Sequence, residues 1–120
     1  MPGVRALNFD SPDETRTPEK TRVDVVKAGA TSAARMVLEP GWSWSECIKP
    51  VAGTDSCQAR HVGFMQSGSL RVIHDDGSEA ELRAGDAYVI EPGHDAHVLG
   101  DEQVILYEFE PRAAEEYARG

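Results

Sequence analysis

Four side chains carry donor atoms suited to a borderline or soft metal ion, and they fall in two short segments. Cys57 and His61 share the first segment, His94 and His97 the second. Thiolate and imidazole are the donors that hold zinc, iron, nickel or copper. The fourth histidine, His74, lies beside Asp75-Asp76-Gly77 and is expected to be a solvated turn residue. The competing reading of the first pair is structural: Cys57 as a small buried hydrophobe and His61 as a hydrogen-bonded core histidine.

Spacing sets conditions on the metal reading. On a straight strand, residues four apart share a face but lie about 13 Å from each other. Each ligand must sit about 2.0–2.3 Å from the ion. Cys57 and His61 can therefore share an ion only if the chain bends between Gln58 and Arg60. His94 and His97 are three apart, so a straight strand sends them to opposite faces. Only one can point inward unless the loop coils. Asp95 either orients an imidazole by accepting its N–H or caps its own turn.

The elements that must position these residues read as β. Val23–Val26, Ala34–Leu38, His61–Gln66, Leu70–His74, Glu79–Leu82, Ala87–Ile90, His97–Leu99 and Val104–Phe109 are short apolar or alternating runs. Between them stand Pro40-Gly41, Ser67-Gly68, Asp76-Gly77, Ala84-Gly85-Asp86 and Pro92-Gly93. Turn signals every 8–12 residues indicate an all-β sandwich or barrel. Trp42 and Trp44 alternate with Ser43 and Ser45, the spacing of a strand with one aromatic face. Trp42, Trp44, Phe64, Tyr88 and Tyr107 are candidates to line an apolar pocket or to fill the core. Residues 1–20, with Pro2, Pro12 and Pro18, read as an extended arm with one short strand at Val4–Phe9. The barrel spans 21–111. The tail 112–120, following Pro111, reads as a short C-terminal helix.

Composition bounds the function classes. The chain has 120 residues, the size of one domain, and carries 12 basic against 21 acidic residues, a formal net charge of −9. A surplus of acid argues against nucleic acid as a partner and against a polybasic membrane contact. No run approaches the ~20 apolar residues of a membrane helix. The N-terminal residues lack the apolar stretch of a secretory signal, and two cysteines, Cys47 and Cys57, do not make a disulfide framework. The cytoplasm is the expected compartment. Arg60 and Arg71 either meet an anionic substrate or form surface ion pairs. No nucleophile elbow or phosphate-binding glycine loop is present.

The run Gly85-Asp86-Ala87-Tyr88-Val89-Ile90-Glu91-Pro92-Gly93 resembles the second conserved motif of the cupins. That motif has Gly-Asp, a short apolar strand, Pro-Pro-Gly and then a histidine. His61-Val62-Gly63-Phe64-Met65-Gln66-Ser67-Gly68 resembles the end of the first cupin motif, with His61 in the place of its glutamate. Cys57 then falls on the second histidine of that motif and Asp55 on the first. The second-motif histidine position is occupied by Ala96, with His97 one residue late and His94 two early. The resemblance covers about Leu38 to Phe109.

The resemblance implies a cupin-type double-stranded β-barrel, or jelly roll, often a homodimer, with a site inside the barrel. Cupins commonly hold a divalent metal on three histidines and a glutamate. That set is not present here as written. The residues that remain are Cys57, His61 and His97, with His94 as the alternative or fourth member. Such a soft set suits zinc better than iron or nickel. Two functions follow: a metalloenzyme of dioxygenase, isomerase or lyase type acting on a small organic molecule, or a binding or accessory module without a catalytic metal.

Overall fold

The structure is a computed structural model that describes residues 3–29 and 31–109. Its strands are β1 (Glu14–Arg16), β2 (Thr21–Ala28), β3 (Thr31–Leu38), β4 (His61–Ser67), β5 (Ser69–His74), β6 (Glu79–Arg83), β7 (Ala87–Ile90), β8 (His94–Leu99) and β9 (Val104–Phe109). Two short helices, α1 (Trp44–Cys47) and α2 (Lys49–Ala52), interrupt them between β3 and β4. Six strands form one antiparallel sheet in the order β1-β2-β3-β9-β4-β7, and three form a second in the order β6-β5-β8. The two sheets face each other as a jelly roll that is not closed by strand pairing.

Alternation explains the core. Met36, Leu38, Met65, Tyr88, Val104 and Leu106 point inward from the large sheet, and Leu70, Val72, Leu82, Ala96 and Val98 from the small one. Fully burying one such aliphatic side chain contributes about 1.5–3 kcal/mol. Two glycines permit the closest approaches. Gly68 turns β4 into β5 at φ +81°, and a Cβ there would strike the backbone at Gln103 and Val104. Gly63 faces Glu108 in the β4–β9 ladder, and a Cβ there would collide with the Tyr107 carbonyl. A side chain at 63 would push away the strand that carries Glu108.

Two sequence expectations change. The Trp42–Ser45 segment is not a strand. Ser43 caps α1, its hydroxyl accepting from the Glu46 N–H at 3.2 Å, so the chain coils from Trp44 onward. The Ser43-x-x-Glu46 spacing is a helix-start signal that outweighs the aromatic alternation. Residues 4–8 form no strand; the pairing segment of the N-terminal region is β1, which adds to β2. The arm is held instead by Arg35, whose guanidinium meets the Phe9 carbonyl at 3.3 Å, Asp10 at 3.4 Å and the buried Asp24 at 3.2 Å. Phe9 stacks at a tilt on Tyr107, 5.3 Å between ring centres. The helix expected at 112–120 lies outside the described residues.

Candidate metal centre

Cys57 precedes β4 and is bridged to β8: its N–H donates to the His94 carbonyl at 2.7 Å, and its own carbonyl accepts from the Gly93 N–H at 2.7 Å. Residues 58–60 leave the ladder before β4 starts at His61. This is the break that a shared ion requires of the spacing. Cys57 Sγ consequently lies 3.4 Å from His61 Nε2 instead of a strand's length away. His94 opens β8 and turns its ring toward His61, 4.9 Å between ring centres and edge to face. One donor atom from each of Cys57, His61 and His94 lies within 4.8 Å of the others, and all three residues are buried. No other such group occurs among the described residues.

The donor set fits a tetrahedral ion. Ligands about 2.0–2.3 Å from zinc stand roughly 3.3–3.8 Å apart. The Cys57–His61 separation is already in that range, and the widest separation needs to close by less than about 1.5 Å. The ring orientations agree. His94 Nδ1 donates to the Glu91 carbonyl at 2.9 Å, which leaves Nε2 as the nitrogen available to an ion. His61 Nδ1 lies 2.8 and 2.9 Å from the two oxygens of Glu108, which leaves its Nε2 facing Cys57. Tyr88 donates its hydroxyl to Glu108 Oε2 at 2.8 Å.

Electrostatics divides the two imidazoles. Burial alone would lower the His61 pKa, but the Glu108 carboxylate and the bond to Cys57 outweigh it and raise it to about 10. Burial, followed by the charge on His61, pushes His94 down to about 4. In the metal-free protein near neutral pH, His61 is therefore an imidazolium held between Glu108 and Cys57, and His94 is a neutral ring.

The other candidates separate from this cluster. His97, expected as the second-segment ligand with His94 as its alternative, sits on the opposite face of β8. It pairs across the small sheet with Arg71 and is half-buried, while His94, Ala96 and Val98 face inward. Because β8 is straight from His94, the spacing of three sends the rings apart, and no extra loop residue shifts His97 into place. Cys47 is buried in α1 within the apolar core and outside the three-donor group. Asp95 accepts from the Ser45 and Ala96 N–H groups at 3.2 and 2.8 Å, tying α1 to β8 without touching an imidazole. His74 is not merely solvated: its Nδ1 accepts from the Asp76 N–H and its Nε2 donates to the Pro92 carbonyl. Arg60 and Arg71 pair with Glu91 and Glu79 at the surface. Of the aromatic candidates, Trp42, Trp44 and Tyr88 line a cavity beside the cluster, whereas Phe64 and Tyr107 stack on the outer face of the large sheet.

Sequence reasoning missed Glu108. Its signal was present: Val104, Leu106 and Glu108 share the inward register of β9, and a carboxylate there requires a buried partner.

This architecture recurs in solved structures. The Cupin_2 domain of an XRE-family transcriptional regulator from Enterobacter cloacae superposes with a TM-score of 0.55 at 13% identity, covering 76% of this chain and 95% of that one. The chain has the cupin fold. KdgF from Halomonas sp. matches with a TM-score of 0.60 at 18% identity, over 91% of this chain and 95% of that one. Oxalate decarboxylase from Lactobacillus farciminis, solved as a formate complex, matches with a TM-score of 0.62 at 19% identity. That alignment covers 91% of this chain but only 33% of the decarboxylase. No family model and no curated protein sequence matches the chain. No helix among the described residues is long and apolar enough to cross a membrane.

Proposed function

We propose that this small cupin holds one divalent metal ion on Cys57, His61 and His94 and acts on a small organic molecule. The observation that carries the proposal is the convergence of three buried donors from two segments, with Glu108 and the Glu91 carbonyl fixing the two rings. One thiolate and two imidazoles favour zinc over iron or nickel. When bound on three protein ligands, such an ion supplies Lewis acidity and an open position for water or substrate. The chain's own groups do the rest. Glu108 keeps the His61 Nδ1 hydrogen and presents Nε2. Met36, Leu38, Leu70 and Leu106 give the cavity an apolar wall.

The test is metal analysis of protein purified without a nickel column, compared with His61→Ala. About one zinc per chain, lost in the variant, supports the reading; clean protein that neither contains nor takes up stoichiometric metal overturns it. The second reading, a ligand-binding module without catalytic metal, is favoured by the His61–Glu108 pair, which balances its own charge with no ion present. We place the protein in the cytoplasm, where two reduced cysteines are stable. We also take it to be a homodimer. Phe64, Val89 and Phe109 are exposed on the outer face of the large sheet, a patch suited to a second copy. Light scattering that gives a monomer at tens of micromolar removes the dimer.

A further inference from the structure

The cavity beside the cluster presents a surface that is almost wholly carbon, with Met36, Leu38, Leu70, Ala96 and Leu106 on its wall. The polar side chains that share this wall direct their polar atoms to other partners. His61 turns Nδ1 to Glu108 at 2.8 Å and Nε2 to Cys57 at 3.4 Å. Tyr88 donates to Glu108 at 2.8 Å, and His94 Nδ1 donates to the Glu91 carbonyl at 2.9 Å. Trp42 donates its Nε1 hydrogen to Thr21 Oγ1 at 2.9 Å, and the Trp44 Nε1 is enclosed, with almost no accessible surface. A molecule in the cavity therefore meets no N–H that is both open and unengaged, that of His61 included.

We propose that this cavity binds an apolar group of a few non-hydrogen atoms, so that the small organic molecule taken by the site enters with a hydrocarbon end and not with a carboxylate or an amide. This names a ligand class for the function proposed above and rests on that reading for its catalytic meaning, though not for the binding itself. Three features select the class. A buried water needs two to four polar partners, and a carbon wall supplies almost none, so water there is poorly held. Displacing such water by an apolar group gains affinity. A carboxylate or an amide, by contrast, gives up its own hydration and finds no replacement hydrogen bonds. Size sets the third limit. The cavity is about 30 Å³, whereas one water needs roughly 10–15 Å³. The rings of His61 and His94 line the cavity and Cys57 does not, so the hydrocarbon end lies beside the two imidazoles.

Methionine methyl groups give the readout. The sequence has three methionines; Met36 lines the cavity, whereas Met65 is as deeply buried and does not. Protein labelled with carbon-13 at the methionine methyls is titrated, zinc-free and zinc-loaded, with xenon and propane as apolar probes. Acetamide is the neutral polar probe of propane's size, and acetate the charged one. Met36→Leu assigns the Met36 signal by its loss, and Met65→Leu assigns the other buried signal if the first variant does not fold. The expected result in zinc-free protein is a saturable shift of the Met36 methyl with xenon and with propane, an unmoved Met65 methyl, and at least tenfold weaker binding of acetamide and acetate. An unmoved Met36 signal, binding of acetamide or acetate as tight as that of propane, or a long-lived water with a cross-peak to the Met36 methyl overturns the proposal. Failure to bind zinc with a normal propane titration counts against the metal reading alone. Normal zinc binding without a xenon or propane response counts against this inference alone.

Discussion

Both oxygens of Glu108 lie within 2.9 Å of His61 Nδ1, so a carboxylate from the last strand fixes the ring that opens β4. The pair is buried at both ends, with side chains 6% and 4% exposed. Replacing Glu108 by Gln keeps the shape and removes the charge. Groups that hold a metal-ligating histidine typically contribute 10–100-fold in metal affinity. Glu108→Gln is expected to weaken zinc binding by about that factor, read by competition with a chromophoric chelator. Unchanged affinity would show that the contact is structural only.

Titration of the two imidazoles is expected to lower the stability of the metal-free protein on either side of about pH 6.5. The folded-state pKa of His61 is raised to about 10, so its contribution is complete below about 6.5 and is lost as pH rises toward 10. The folded-state pKa of His94 is lowered to about 4, so the unfolded chain takes up a proton first and stability falls as pH drops from about 6.5 to 4. Melting temperatures measured in chelator across pH 4–10 should fall on both sides. In Glu108→Gln the alkaline decline should shrink, because the charge that raises His61 is gone. A wild-type profile that stays flat from pH 6.5 to 10 contradicts the buried imidazolium.

His94 and His97 are separated by their strand face, which makes a direct comparison. His94→Ala is expected to lower zinc affinity at least about tenfold, since it removes a proposed ligand. His97→Ala should leave affinity unchanged, its ring being on the other side of β8. Isothermal titration of both variants decides, and the reverse ranking returns the site to the sequence-based choice.

Gly63 carries a packing prediction. A methyl group there meets the Tyr107 carbonyl and the Glu108 Cα across the ladder. Gly63→Ala is expected to destabilise by about 2–4 kcal/mol, since neither backbone can yield without disturbing the β4–β9 ladder. Urea unfolding measures it; a loss under about 0.5 kcal/mol means that β9 shifts freely.

Much of this was legible in the residues, because turn chemistry and period-2 alternation are local. Asp76-Gly77, Pro92-Gly93 and Ser67-Gly68 mark turns where they were expected, and β4, β7 and β9 match their apolar runs within a residue. The break after Cys57 is the condition that the four-residue spacing to His61 sets on a shared ion, not something the spacing dictates by itself. What failed depended on where neighbouring elements begin. Family register favoured His97, but β8 starts at His94, three residues earlier than its apolar run suggests, and that start decides which ring faces inward. The Trp42–Ser45 alternation gave way to the Ser43 cap. Glu108 was hidden because an isolated glutamate in a strand looks solvated until its register is known.

The central claim is that Cys57, His61 and His94 together bind one metal ion. Titration of chelator-treated protein with cobalt(II) near pH 8, followed by absorption, tests it most directly, because a cobalt–thiolate bond gives a charge-transfer band that imidazole and carboxylate ligands do not. The account predicts saturation at one cobalt per chain, a thiolate band absent in Cys57→Ala, and displacement of the spectrum by zinc. Weak, unsaturating uptake with no thiolate band, or the same band in Cys57→Ala, would contradict it.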